Sequence, residues 1–248
     1  MKKVSLMVVC LLSLISVTAN AADRAKRILV YGDSNTFGYF EDTDGIVGRL
    51  PTDVSWPGIL ATELGDMYEI IVEGLSGRTT NLDSTVRSGT GLIPGAGMNG
   101  AAYLPAALSS HMPLDLVIIL LGTNDLRADR NRSAFDIALA TGELVSIVSR
   151  AEWQQRTKFT SPRVLVICPP KLDIKKGAYK DFFAGSLAKS EALPGILKPV
   201  VEAAGAAFFD AATVVPFAQG PDEIHLTPEN HATLGTAVAR EVKNLFAE

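Results

Sequence analysis

Three short polar clusters in this chain carry residue types that can act together in nucleophilic catalysis. The first, Gly32-Asp33-Ser34-Asn35-Thr36, places a hydroxyl after an apolar run. The second, Leu121-Gly122-Thr123-Asn124-Asp125, puts an amide side chain in the same kind of setting. The third, Gly220-Pro221-Asp222-Glu223-Ile224-His225, sets an acid three residues before one of only 3 histidines, just ahead of a helical segment. An aspartate on such a turn can accept from one imidazole nitrogen and fix the tautomer, so that the other nitrogen faces a nucleophile. Each cluster alone has an ordinary explanation: Asp33 or Ser34 as a helix N-cap, Asn124 and Asp125 as turn residues, His225 as a surface histidine beside a helix start. What points to nucleophilic catalysis is their coincidence at the ends of three strands.

Those strands are five runs rich in β-branched residues, at 27–32, 69–73, 115–121, 163–168 and 206–210. Each is almost continuously apolar, the pattern of a strand buried on both faces in a parallel sheet. Between and after them, residues 56–64, 103–110, 133–150, 187–204 and 228–246 show helical spacing. Alternating strands and crossover helices predict a three-layer α/β/α sandwich with a five-stranded parallel, flavodoxin-like sheet, in which ligands bind beyond the carboxyl ends of the strands. Two long loops, 40–55 and the Gly-rich 85–100, exceed what such a fold requires and are expected to be functional or interfacial. No repeat or linker divides the chain.

Of 248 residues, 47% are hydrophobic and 20% charged, the balance of an ordinary globular protein, and the net charge of −4 has no basic run that would suit nucleic acid. Lys2 and Lys3, the apolar run 4–17 and the small-residue site ending at Ala21 have the layout of a secretory signal peptide, so cleavage after Ala21 is expected. Removing residues 1–21 takes away two lysines and no acid, which moves the net charge to −6. The domain that follows, 22–248, is expected to be exported, periplasmic or extracellular, with no stable membrane insertion once the leader is gone. Only Cys168 survives cleavage. It closes an apolar strand and is read as a small buried hydrophobe.

With these clusters assembled, the chain resembles the GDSL or SGNH hydrolases. Gly32-Asp33-Ser34 is similar to that family's first block, Gly77 within Leu75-Ser76-Gly77-Arg78-Thr79 to its second, Gly122-Thr123-Asn124-Asp125 to its third and Asp222-Glu223-Ile224-His225 to its fifth. The strings at 73–81, 103–105 and 113–119 resemble its arylesterase and acyltransferase branch. The resemblance implies a serine esterase of short acyl (acetyl or aryl) esters, with Ser34 as nucleophile, His225 as general base and then acid, and Asp222 orienting it. It also implies an oxyanion hole made by the backbone N–H groups of Ser34 and Gly77 and the side-chain amide of Asn124, and no cofactor or metal. A multimeric enzyme typical of that branch carries Ala where Gly77 stands and Trp where Phe37 stands, so acyl transfer is expected only as a side activity. Its multimeric members carry interface insertions at the two long loops, which implies a homo-oligomer.

Phe37, Trp56 and Arg78 are the candidate substrate-binding residues, though core packing suits the aromatics, and ion pairing or capping suits Arg78, equally well. His111 is expected as a helix C-terminal histidine and His231 on a solvated helix face. Asp33 and Asp125 are expected to hold strand-end turns. A lysophospholipase, a thioesterase or a carbohydrate deacetylase would show the same motifs. A nucleotide or flavodoxin-like redox protein would share the sheet, but the first loop has neither the G-x-G-x-x-G nor the P-loop pattern. A non-catalytic binding module would have no use for the complete set of site residues.

Overall fold

The structure is a computed structural model and describes residues 24–83, 93–150, 159–177 and 179–247. The expected leader and its cleavage site lie outside these residues, as do positions 85–92 of the Gly-rich loop. Along the described chain the elements are β1 (Lys26–Gly32), α1 (Ser34–Phe37), β2 (Tyr39–Glu41), β3 (Val47–Arg49), α2 (Trp56–Leu64), β4 (Tyr68–Gly74), α3 (Gly100–His111), β5 (Leu116–Leu120), α4 (Ala134–Val148), β6 (Arg163–Cys168), α5 (Ser186–Ala203), β7 (Ala207–Asp210) and α6 (Pro228–Ala247).

The continuously apolar strands form one parallel five-stranded sheet, ordered β4-β1-β5-β6-β7. Burial follows the order: every residue of β5 is buried, whereas the edge strands β4 and β7 are only partly covered. Helices α2 and α6 pack together on one side, and α3, α4 and α5 make a row on the other. Because β4 and β5 both join β1, the connections leaving the sheet diverge there and open a crevice above the carboxyl ends of β1 and β5. Strand and helix bounds depart from the sequence expectation by only a few residues. α4 begins with a capping box in which Ser133 and Asp136 satisfy each other's backbone N–H groups, an arrangement that stabilises a helix start by about 1 kcal/mol.

The 40–55 loop is more ordered than its composition suggests. It contains the antiparallel hairpin β2–β3, with Phe40 opposite Gly48. Its turn is closed by Asp42, whose Oδ1 accepts the N–H groups of Asp44 at 2.9 Å and Ile46 at 2.8 Å. Cys168 is fully buried as expected, and burial pushes its thiol far above the ordinary range. Among the described residues no helix is long and apolar enough to cross a membrane.

Candidate active site

The nucleophile candidate stands where β1 turns into α1. Asp33 caps α1 by accepting the Asn35 N–H at 3.0 Å, so Ser34 becomes the first helical residue, with its own N–H among the amides a helix start leaves open. The turn is tight enough that a Cβ on Gly32 would lie 2.0 Å from Thr36 Oγ1. Asp33 is fully buried, and burial raises its carboxyl to about 6 against the opposing pull of the Asn35 N–H. Its role in holding the turn matches the sequence expectation.

His225 reaches Ser34 from the far end of the chain. Its Nε2 lies 2.9 Å from Ser34 Oγ, and its Nδ1 is hydrogen-bonded to Asp222 Oδ2. The other Asp222 oxygen, Oδ1, accepts the N–H groups of Ile224 at 3.0 Å and His225 at 2.9 Å. Burial works to raise the Asp222 carboxyl, but the bonds from His225 and Ile224 outweigh it and hold the group below the ordinary carboxylate range. One face of the imidazole is covered by Tyr39, whose ring centre lies 4.3 Å away.

Two further candidate donors come from the turns after β4 and β5. The 75–78 turn after β4 is fastened to Gly32 by the Leu75 N–H at 3.1 Å and by Arg78 Nη1 at 2.9 Å, which sets Gly77 next to the Ser34 segment. Gly77 has φ of +86°, in the left-handed region that favours glycine, and a Cβ there would lie 2.9 Å from Met98 Cε. Asn124 follows β5 in a short 3₁₀ turn and gives one Nδ2 hydrogen to Arg78 O at 3.0 Å, which leaves the second free to point elsewhere. Asp125, fully buried, ties these loops together by accepting the Thr80 N–H at 3.0 Å and the Thr80 hydroxyl at 2.6 Å. Burial raises its carboxyl, with the Thr80 bonds working against that rise.

Three expectations need correction. Trp56 is fully buried at the start of α2 and Arg78 is only 2% exposed, so neither side chain borders an open pocket. Arg78 is a brace: it donates to Gly32 O and Glu73 O and lies 4.1 Å from the centre of the Tyr31 ring. Phe37 alone of the three stays partly exposed, beneath the Arg49 guanidinium at 4.2 Å. His231 is not on a solvated face. It is fully buried, and its Nδ1 accepts the Trp56 N–H at 3.1 Å. The start of α2 needs such an acceptor because Ser55 makes no capping bond there and donates its hydroxyl to Thr52 O instead. Burial lowers the His231 imidazole to about 4. His111 does close α3, and its Nε2 lies 2.9 Å from Glu73 Oε1.

Asn35 has a role that its place in the first cluster does not reveal. Its side chain donates to Ile224 O at 3.4 Å and accepts the Leu226 N–H at 3.1 Å, clamping the histidine turn onto α1. Two grooves flank that turn, and Gly220 and Pro221 line both. One, of about 390 Å³, is mostly apolar and is bounded by Phe40, Leu50, Leu226 and His225. The other, of about 420 Å³, is polar and is bounded by Asp173, Lys175, Phe217 and Gln219.

The comparison with known proteins places the chain in a family. Residues 30–233 match the GDSL-like Lipase/Acylhydrolase family, a span that includes every site residue described above. The chain belongs to that family. The aryl esterase of M. smegmatis is similar at 40% identity, with 89% of this chain and 100% of that one covered and a TM-score of 0.81. A carbohydrate acetylesterase from Sinorhizobium meliloti is similar at 38% identity, with 89% and 99% covered and the same TM-score of 0.81. No curated protein sequence matches this one. As a GDSL/SGNH hydrolase the chain is an esterase or acylhydrolase with an ester as its substrate.

Proposed function

We propose that this protein is an exported serine esterase that hydrolyses short acyl esters, acetyl and aryl esters above all. The observation that carries the reading is the line of contacts from Asp222 through His225 to Ser34, with 2.9 Å between Nε2 and Oγ. In the first step Ser34 Oγ attacks the ester carbonyl carbon as His225 Nε2 takes its proton. The negative charge on the carbonyl oxygen is met by the N–H groups of Ser34 and Gly77 and the free Nδ2 hydrogen of Asn124. Collapse of the tetrahedral species breaks the bond to the alcohol, which leaves with the proton held by His225. Water then attacks acyl-Ser34 with His225 as base, and the carboxylic acid departs. Where an alcohol replaces that water, the same steps give acyl transfer as a side activity.

The apolar groove beside His225 supports the aryl-ester reading, because the leaving alcohol must lie on the side of the base that protonates it. Carbohydrate deacetylation is the second reading. It is favoured by the polar groove across the same turn, where Phe217 offers a ring face among Asp173, Lys175 and Gln219. The reading also includes assembly into a homo-oligomer, as its arylesterase-like sequence implies.

The deciding experiment is hydrolysis of 4-nitrophenyl esters from acetate to palmitate, with an acetylated polysaccharide alongside, by the mature protein and by Ser34→Ala. Acetate is expected to be the fastest ester, and Ser34→Ala to lose about 10⁴-fold or more in kcat. A preference for long chains would move the assignment to the lysophospholipase or thioesterase class, and faster deacetylation of the polysaccharide to the second reading. Equal rates for the two proteins would remove the catalytic assignment.

A further inference from the structure

Asp222 and His225 share one short turn, and its backbone is strained at the residue next to the acid. Glu223 has φ of +61°, in the left-handed region that residues with a Cβ avoid. The bonds of the turn impose this conformation. The Glu223 N–H donates to Gly220 O at 2.9 Å and the Gly220 N–H to His225 O at 2.8 Å, while Asp222 Oδ1 draws in the amides of Ile224 and His225. One carboxylate oxygen thus fixes the turn and the other is left for the imidazole.

Glycine would adopt this backbone without strain, so a glutamate here calls for a reason in its side chain. Glu223 Oε2 accepts the N–H of Lys175 at 2.6 Å and that of Lys176 at 3.3 Å. The loop that supplies these amides is itself anchored in the core. Leu172 is 2% exposed, and its N–H donates to Ser190 Oγ on α5 at 3.2 Å. The Lys171 N–H donates to Pro216 O, also at 3.2 Å.

We propose that Glu223 is a positioning residue: its carboxylate ties the strained turn to the anchored 171–176 loop and so keeps His225 aimed at Ser34. The inference rests on the esterase reading above, in which His225 must hold a hydrogen-bonding distance to Ser34 through two proton transfers. Only the acceptor oxygen matters, because the partners are backbone amides.

The test compares Glu223→Gln, Glu223→Ala and Glu223→Gly with the wild-type protein, using 4-nitrophenyl acetate kinetics and hydrogen exchange at the Ile224 and His225 amides. Glu223→Gln keeps an acceptor and is expected to behave like wild type. Glu223→Ala is expected to lose about 10- to 100-fold in kcat, with KM changed by less than about twofold. Its two amides should exchange about tenfold faster. Glu223→Gly relaxes the backbone but removes the tether, so it should lose activity as well. Wild-type kcat and exchange in Glu223→Ala, or full activity in Glu223→Gly, would overturn the proposal. If wild type and Ser34→Ala hydrolyse the ester equally, the esterase reading has failed, and amide exchange alone then decides whether the tether holds the turn.

Discussion

The two halves of the site are held by different means. Ser34, Gly77 and Asn124 follow directly on β1, β4 and β5, so the parallel register of three neighbouring strands sets their relative heights. Asp222 and His225 sit on a turn between β7 and α6, outside any strand. Their placement depends on side-chain bonds, from Asn35 on α1 and from Glu223 to the 171–176 loop. Strand register is shared among many residues and tolerates the loss of any one side chain, whereas a turn held by a few polar contacts is sensitive to each. Substitutions in the first half should therefore separate rate from stability, and substitutions in the second should couple them.

The largest effect expected is in the sheet-borne half. Asn124→Ala should lower kcat by about 10²- to 10³-fold, the usual result of removing one oxyanion donor, with a thermal midpoint close to wild type. Thermal melts and 4-nitrophenyl acetate kinetics on the same samples would show this, and a large fall in the midpoint would erase the contrast. Next comes the support beneath the turn-borne half, where His231 caps α2 from the first turn of α6. Its imidazole falls from 6.5 in the unfolded chain to about 4 in the folded one. The stability it contributes is complete above pH 6.5, and about 3 kcal/mol of it disappears as the pH falls through 4. His231→Asn keeps an acceptor for the Trp56 N–H but does not titrate. Its unfolding free energy should therefore be flatter between pH 7 and pH 4, as denaturant melts at several pH values would register; an unchanged slope would place the acid sensitivity elsewhere. The smallest effect is the most diagnostic. Asn35→Ala should cost about 1 to 2 kcal/mol of stability and about tenfold in kcat together, because one side chain secures both the fold of the turn and its aim. A loss of stability with kcat intact would mean that the turn aims itself.

The legibility of the sequence divides along the same line. The strands of the sheet are visible as continuous apolar runs, and the polar clusters at their ends are visible because buried strands cannot continue into Gly32-Asp33-Ser34 or Gly122-Thr123-Asn124. Asp222 and His225 are visible through their three-residue spacing. What the sequence conceals is the set of contacts that join distant segments. Asn35 stands inside a motif, yet its partners lie 189 and 191 residues away. His231 has helical spacing that says nothing of the uncapped start of α2 opposite it. Arg78 lies next to Gly77 in sequence and Trp56 opens α2, and both face inward because the Gly32 turn and the core need them there. The hairpin escapes because its strands are three residues long, too short for alternation to register.

The contact between Ser34 and His225 spans 191 residues, nearly the whole folded chain. In the proposed mechanism a nascent polypeptide therefore carries its nucleophile for most of its synthesis without a base to activate it, and hydrolysis begins only after the 222–225 turn has been made and docked. On that mechanism a product truncated ahead of His225 is chemically silent, so the order of the residues along the chain delays activity until the turn that follows β7 is in place.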